Sequence, residues 1–392
     1  DNLGWLSFKR SWQAVINRTL ICSLVMVHLL FVGGCSSSDE PDDKTTTTKT
    51  ELTLSEKIES IDTYVSQLHA QELFNGAVLL AKAGEPLLME VYGYTDASKE
   101  QLLTVNSSFR LASVSKQFTT MAIMILQERG LLNYSDLISV HIPELDYPGV
   151  TVEHLMLHTS GIQDYIGFPE SYITEQGAAF MTMPVFFDIL KLHPLKAEFS
   201  PGTAWEYSNT GYILLAEVVA RVSGISFEEF IHQEISVPLE MADTGVWNLL
   251  TNPDSDRLPN RTTGISGGQN VSMTYFDGIA GDGAVFSSIS DMLKWDRALA
   301  NNRLVSAETK QRAFTPGILS DGTATGYGYG WGIETLGEQK VVAHSGSWLG
   351  ARTYIRRNLA TGSVMVVLDS SRTTELGEIV DKISSTLADE AF

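Results

Sequence analysis

Apolar positions along the chain change period several times, and each change marks an element. Leu54, Ile58, Ile61, Val65 and Leu68 recur at intervals of three and four, which predicts a helix over about 53–72. Gly76 to Lys82 and Leu87 to Tyr92 read as two strands around the turn Ala83-Gly84-Glu85-Pro86. The unbroken run Phe118 to Leu126 predicts a buried helix that ends at Gly130, a C-cap glycine. Residues 131 to about 300 read mostly as helices and loops, with Val150 to His158 and Tyr212 to Ser223 the clearest helices. Strand patterns return at Gly328 to Glu334, Lys340 to His344, Arg352 to Arg357 and Ser363 to Asp369, and a last helix is expected over about 374–389. Strands at both ends with a helical insert between them predict an α/β (α+β) chain of two lobes. One is an antiparallel sheet flanked by the terminal helices; the other is all-helical, over about 131–300.

The N-terminus has a different pattern. Lys9, Arg10 and Arg18 precede the apolar run Thr19 to Val32, which ends in Val32-Gly33-Gly34-Cys35 and then Ser36-Ser37-Ser38. A basic segment, a short apolar segment and small residues before a cysteine read as a lipoprotein signal peptide over 1–34, with Cys35 acylated after cleavage. An uncleaved anchor is the alternative, but the run falls short of the roughly 20 residues that a span needs, and His28 interrupts it. Residues 36 to 50 contain no apolar side chain, so 35–50 is expected to be a disordered, lipid-anchored tether and 51–392 the folded domain. The expected location is the cell envelope. In a Gram-negative cell, Ser36 after the cysteine suits the periplasmic face of the outer membrane.

Composition narrows the chemistry. The formal net charge of −20 over 392 residues, with no basic patch, argues against nucleic acid as a partner. Cys22 and Cys35 are the only cysteines; cleavage removes one and lipid consumes the other, so a cysteine nucleophile is excluded. No phosphate loop or dinucleotide fingerprint is present, and no cofactor is expected. His154 and His158 stand four apart, but without a third ligand or a His-Glu-x-x-His pattern they do not make a metal site. The run Asp277-Gly278-Ile279-Ala280-Gly281-Asp282-Gly283 lacks the spacing of a calcium loop.

Candidate chemistry gathers at Ser113 and Lys116, three apart at the start of the Phe118 to Leu126 run. On a helix, i and i+3 share a face, so the amine reaches the hydroxyl. Serine is a weak nucleophile until a base takes its proton, and an amine held neutral by burial and by a helix N-terminus is able to do so. Ser115 has no lysine at +3. Ser113 is thus the expected nucleophile and Lys116 the expected general base.

Two further motifs lie downstream: Tyr207-Ser208-Asn209 and His344-Ser345-Gly346. Ser-x-x-Lys, Tyr-x-Asn and a basic residue-x-Gly, in that order, resemble the serine β-lactamase and penicillin-binding-protein superfamily, class C-like branch. That branch also contains D,D-carboxypeptidases, D-amino-acid amidases and carboxylesterases. His158-Thr159-Ser160-Gly161 and Tyr327-Gly328-Tyr329-Gly330-Trp331-Gly332 extend the resemblance over about residues 70–385. It implies a β-lactamase-like two-lobe fold with the site in the cleft. It also implies that Tyr207 shuttles a proton to the leaving group and that Asn209 holds Lys116 and the substrate amide. The backbone N–H groups of Ser113 and Ser347 would form the oxyanion hole, with Gly346 admitting substrate to the strand edge. β-Lactamases of this branch carry Lys-Thr-Gly where this chain has His344-Ser345-Gly346. Histidine titrates near neutral pH, so His344 would bind a substrate carboxylate when protonated or donate a hydrogen bond to Tyr207 when neutral. The implied function is hydrolysis of a small-molecule or peptide substrate through an acyl-enzyme. D-residue amides or peptides, small esters and β-lactams are the candidate substrates, and a slow penicillin-binding protein is the alternative.

Overall fold

The computed structural model describes residues 52–250, 258–371 and 376–392. The expected signal peptide and the tether, with Cys35, lie outside the described residues. Helix α1 (Leu54–Ala70) begins with a reciprocal cap. The Thr53 hydroxyl accepts the Glu56 N–H at 3.3 Å, and the Glu56 carboxylate accepts the Thr53 N–H at 2.8 Å. Strands β1 (Gly76–Lys82) and β2 (Glu85–Tyr92) form a hairpin. Its turn residues Ala83 and Gly84 both have positive φ, 52° and 81°, as a tight two-residue hairpin requires.

Strand β3 (Ser108–Arg110) leads through a 3₁₀ turn, Ala112–Ser115, into α2 (Lys116–Glu128). Ser113 therefore precedes the α-helix rather than lying in its first turn. The chain enters the turn with Ala112 in the left-handed region, φ 48°, which delays the α-helix to Lys116. The side-chain juxtaposition survives, because i and i+3 eclipse in a 3₁₀ turn. Helices α3 (Ile138–His141), α4 (Val152–Met156), α5 (Glu170–Glu175), α6 (Met183–Leu192), α7 (Asn209–Ser223) and α8 (Phe227–Ile231) follow. Strands interrupt the expected helical lobe: β4 (Gly245–Val246), β5 (Ile265–Ser266), β6 (Gln269–Asn270) and β7 (Val285–Ser288) precede α9 (Ile289–Asn301) and α10 (Ala307–Ala313). They run two to four residues, too short to show an alternating pattern. β7 is the middle strand of a small antiparallel sheet, β3-β7-β4.

The last strands are β8 (Gly332–Leu336), β9 (Gln339–Trp348), β10 (Ala351–Asn358) and β11 (Ser363–Asp369), before helix α11 (Leu376–Thr386). They join the first hairpin in a six-stranded antiparallel sheet, β2-β1-β11-β10-β9-β8. β1 and β11 read as unbroken apolar runs because both faces of the sheet are covered. Ala77, Leu79, Ala81, Val364, Val366 and Leu368 face the main core, which also holds Phe118 and Trp295. Val78, Leu80, Met365 and Val367 face a second core built with Ile61 and Val65 of α1 and Ile379 and Ile383 of α11. The antiparallel sheet flanked by terminal helices is the expected architecture.

Candidate active site

From Leu111 to Leu126 every residue is buried except Ser113. A helix buried all round belongs to the interior, so α2 lies in the main core and carries Lys116 with it, fully shielded from solvent. The amine meets three oxygen atoms. Nζ donates to Asn209 Oδ1 at 2.8 Å and to the Asp282 backbone carbonyl at 2.8 Å, and lies 3.4 Å from Ser113 Oγ. A neutral amine has two N–H groups and one lone pair. The first two oxygens only accept, so both N–H groups go to them, which leaves the lone pair for the serine hydroxyl. Burial lowers the Lys116 pKa to about 8, opposed by the charges of Asp282 and Asp164.

Asn209 is the first residue of α7, and its side chain bridges two charges. Its Nδ2 donates to Asp164 Oδ2 at 2.9 Å while its Oδ1 faces Lys116. Tyr207 arrives two residues earlier, with its ring 4.8 Å from Lys116 Nζ. Burial raises the Tyr207 pKa well above the usual value, and a hydrogen bond with Ser113 acts in the opposite direction. The phenol is thus a neutral proton carrier linked to the serine. Behind it, the His158 ring packs against Tyr207 at a tilt of 34° with centroids 4.3 Å apart, and its Nδ1 accepts the Ser208 N–H at 3.1 Å. His158 does not share a site with His154, whose Nδ1 accepts the Thr151 N–H at the start of α4.

The third motif lies on β9. Beyond Ala343 this strand no longer pairs with β8, so the stretch from His344 to Trp348 keeps only β10 as a partner among the described residues. Gly346 packs flat against the nucleophile turn. A Cβ there would lie 3.0 Å from the Ser113 backbone N and 2.4 Å from the Leu111 carbonyl. Ser347, one residue on, is exposed. His344 takes the neutral one of its two expected states, but its partner is not Tyr207. It is 1% exposed, and Nδ1 lies 2.7 Å from the Ser345 carbonyl, which only accepts, so Nδ1 carries the proton. Nε2 then accepts from the Tyr327 hydroxyl at 2.9 Å rather than binding Tyr207. Burial, with help from Lys116, lowers the His344 pKa to about 3. The imidazole is neutral at physiological pH and offers no cation to a substrate.

The fold thus brings together Ser113, Lys116, Tyr207, Asn209, His344, Gly346 and Ser347. Sequence reading missed Asp164, Asp282, Tyr165 and Tyr327. Tyr165 donates to Asp282 Oδ2 at 2.9 Å. Asp164 follows the His158-Thr159-Ser160-Gly161 run and Asp282 lies in the glycine-rich loop rejected as a calcium site; neither position has a spacing that ties it to a lysine in sequence.

The chain resembles known proteins over most of its length. The Beta-lactamase family model matches residues 61–385. The chain is 33% identical over 328 residues to penicillin-binding protein 4* of Bacillus subtilis, covering 80% of this chain and 72% of that one. It is 26% identical over 306 residues to a D-aminopeptidase of Gluconobacter oxydans, covering 75% and 55%. Among solved structures, the octameric penicillin-binding protein homologue from Pyrococcus abyssi aligns with a TM-score of 0.70 at 26% identity over 84% of this chain and 76% of that chain. The D-amino acid amidase of Ochrobactrum anthropi SV3 aligns at 0.69 and 20% identity over 86% and 100%, a likeness of fold. The chain belongs to the beta-lactamase family, in the class C-like, penicillin-binding-protein-related branch, and is a serine hydrolase.

Proposed function

We propose that Ser113 is the nucleophile and that the enzyme hydrolyses amide or ester bonds with no free carboxylate beside the scissile carbonyl, as in D-amino-acid amides, N-terminal D-residues and small esters. Neutral Lys116 takes the Ser113 proton as Oγ attacks the carbonyl carbon, and the backbone N–H groups of Ser113 and Ser347 hold the developing oxyanion. Tyr207, hydrogen-bonded to Ser113 and beside Lys116, passes a proton to the leaving amine or alcohol, and the carbon–leaving-group bond breaks. Water then attacks the acyl-enzyme, giving its proton back through the same groups, and releases the acid. The open edge of β9 takes the substrate backbone.

The observation that carries the substrate class is the buried, neutral His344. A free C-terminal carboxylate or a β-lactam carboxylate calls for a cation at this place, and the imidazole supplies none. The similarity to a D-aminopeptidase supports an amide substrate. A substrate panel on the full chain tests this: p-nitrophenyl acetate and butyrate, D-phenylalanine amide, a D-alanyl-D-alanine peptide and nitrocefin. Turnover of the esters or the amide should exceed that of the last two. Faster nitrocefin or D-alanyl-D-alanine turnover would replace this reading with a β-lactamase or a D,D-carboxypeptidase. Rapid acylation by a penicillin without turnover of any substrate would favour a slow penicillin-binding protein. The sequence Val32-Gly33-Gly34-Cys35 also supports tethering of the enzyme to the cell envelope by lipid on Cys35.

A further inference from the structure

Two carboxyl groups, half-buried Asp164 and buried Asp282, adjoin Lys116, and neither belongs to the Ser-x-x-Lys, Tyr-x-Asn or His-x-Gly motifs. Asp164 Oδ2 accepts two bonds from one residue, the Asn209 backbone N–H at 3.1 Å and Asn209 Nδ2 at 2.9 Å, while Oδ1 accepts the Ile166 N–H at 3.1 Å. Asp282 Oδ2 accepts the Tyr165 hydroxyl at 2.9 Å, and its backbone carbonyl accepts from Lys116.

The geometry points to Asp164 as a positioning residue that fixes the orientation of the Asn209 amide, and to Asp164 and Asp282 together as the charges that set the basicity of Lys116. An asparagine amide has two nearly equal ends. A carboxylate only accepts, so Asp164 forces Nδ2 toward itself and Oδ1 toward Lys116. With the amide reversed, Nδ2 would point its hydrogens at the amine, and the Lys116 lone pair would turn toward that donor and away from Ser113. The Asn209 backbone N–H bond fixes the same carboxylate against the first turn of α7, where the helix favours negative charge.

The electrostatic role follows from what surrounds the amine. Tyr207 and Tyr212 present ring faces at 4.8 and 5.2 Å, and His158 and His344 also adjoin it; burial holds all four neutral. Arg110 is tied to Asp277 and acts on Asp282 rather than on the amine. Asp164 and Asp282 are therefore the groups that resist the loss of the Lys116 proton on burial. A buried lysine without them would be neutral at lower pH but a weaker base for the Ser113 hydroxyl.

The test is the pH dependence of fluorophosphonate labelling, which reads acylation without deacylation, on the full chain and on D164N, D164E and D282N. In D164N and D282N the midpoint of the alkaline rise should move to lower pH, by about one unit for each charge removed. D164N should also lose about ten-fold in plateau rate, because Asn209 is released from its orientation. D164E keeps the charge and displaces the bonds, so its plateau rate falls while its midpoint stays. Circular dichroism checks folding. If D164N does not fold, D164E reads the positioning role and D282N the electrostatic one. Unmoved or raised midpoints in the charge-removing variants, or an unchanged plateau in D164E, would overturn the inference. It rests on Ser113 and Lys116 as nucleophile and base; absence of labelling in the unmodified protein would instead contradict that assignment.

Discussion

The Tyr327 hydroxyl donates to Nε2 of His344 across 2.9 Å, and it is able to do so because Nδ1 of the same ring already donates to the Ser345 carbonyl. Two hydrogen bonds of opposite sense lock one tautomer of a neutral ring. A second ring proton is disfavoured: both nitrogen atoms are in use, the ring is 1% exposed, and Lys116 is nearby.

This arrangement predicts acid sensitivity. The folded-state pKa of His344 is depressed to about 3 from 6.5, and that of His158 is depressed in the same direction. Between those values the unfolded chain binds more protons, so stability falls as pH drops below about 6.5. Each histidine contributes a slope approaching 1.4 kcal/mol per pH unit. Urea unfolding at pH 7.5, 6.5 and 5.5 should show the decline, and H344Q should flatten it. A decline of equal slope in H344Q would mean that His344 does not carry the effect.

Gly346 is set against the nucleophile turn with no room to spare. A Cβ would fall 2.3 Å from Thr353 Oγ1 and 2.4 Å from the Leu111 carbonyl, and those two atoms are themselves bonded at 2.6 Å. G346A should therefore lose about 1–3 kcal/mol of stability by overpacking and react more slowly at Ser113, since the clash pushes on the backbone that holds the serine. Unchanged thermal unfolding together with an unchanged labelling rate would show that the strand yields freely.

Much of this was legible in the sequence. Long elements such as α1, β1 and α2 were read within a few residues, because burial on one face imprints a period and burial all round leaves an unbroken apolar run. The Ser113–Lys116 pair was legible because its partners are three residues apart. Asp164 and Asp282 were not. They reach Lys116 from loops 48 and 166 residues downstream, and only tertiary packing brings them there. The charge state of His344 stayed open for a related reason: a free histidine titrates near 6.5, and the Tyr327 partner and the burial that settle it are invisible before the sheet closes. β3, β4 and β7 were hidden by their shortness.

Cys35 gives a prediction about location. C35A should leave the protein in the soluble fraction or block its processing, whereas the unmodified protein should partition with membranes. Identical fractionation of the two would remove the lipid anchor from this account.

The central claim is that Ser113 alone carries the acyl group. Of the residues from Leu111 to Leu126 it is the only one not buried, and Lys116 Nζ lies 3.4 Å from its hydroxyl. Ser115, two residues on, is buried, and its Oγ accepts the Val285 N–H at 3.1 Å. The most direct measurement is mass spectrometry of a digest after reaction with a fluorophosphonate. The adduct should map to Ser113, form faster as pH rises through about 8 as Lys116 loses its proton, and vanish in S113A. An adduct on Ser115 or elsewhere in the unmodified protein, or undiminished labelling of S113A, would contradict the account.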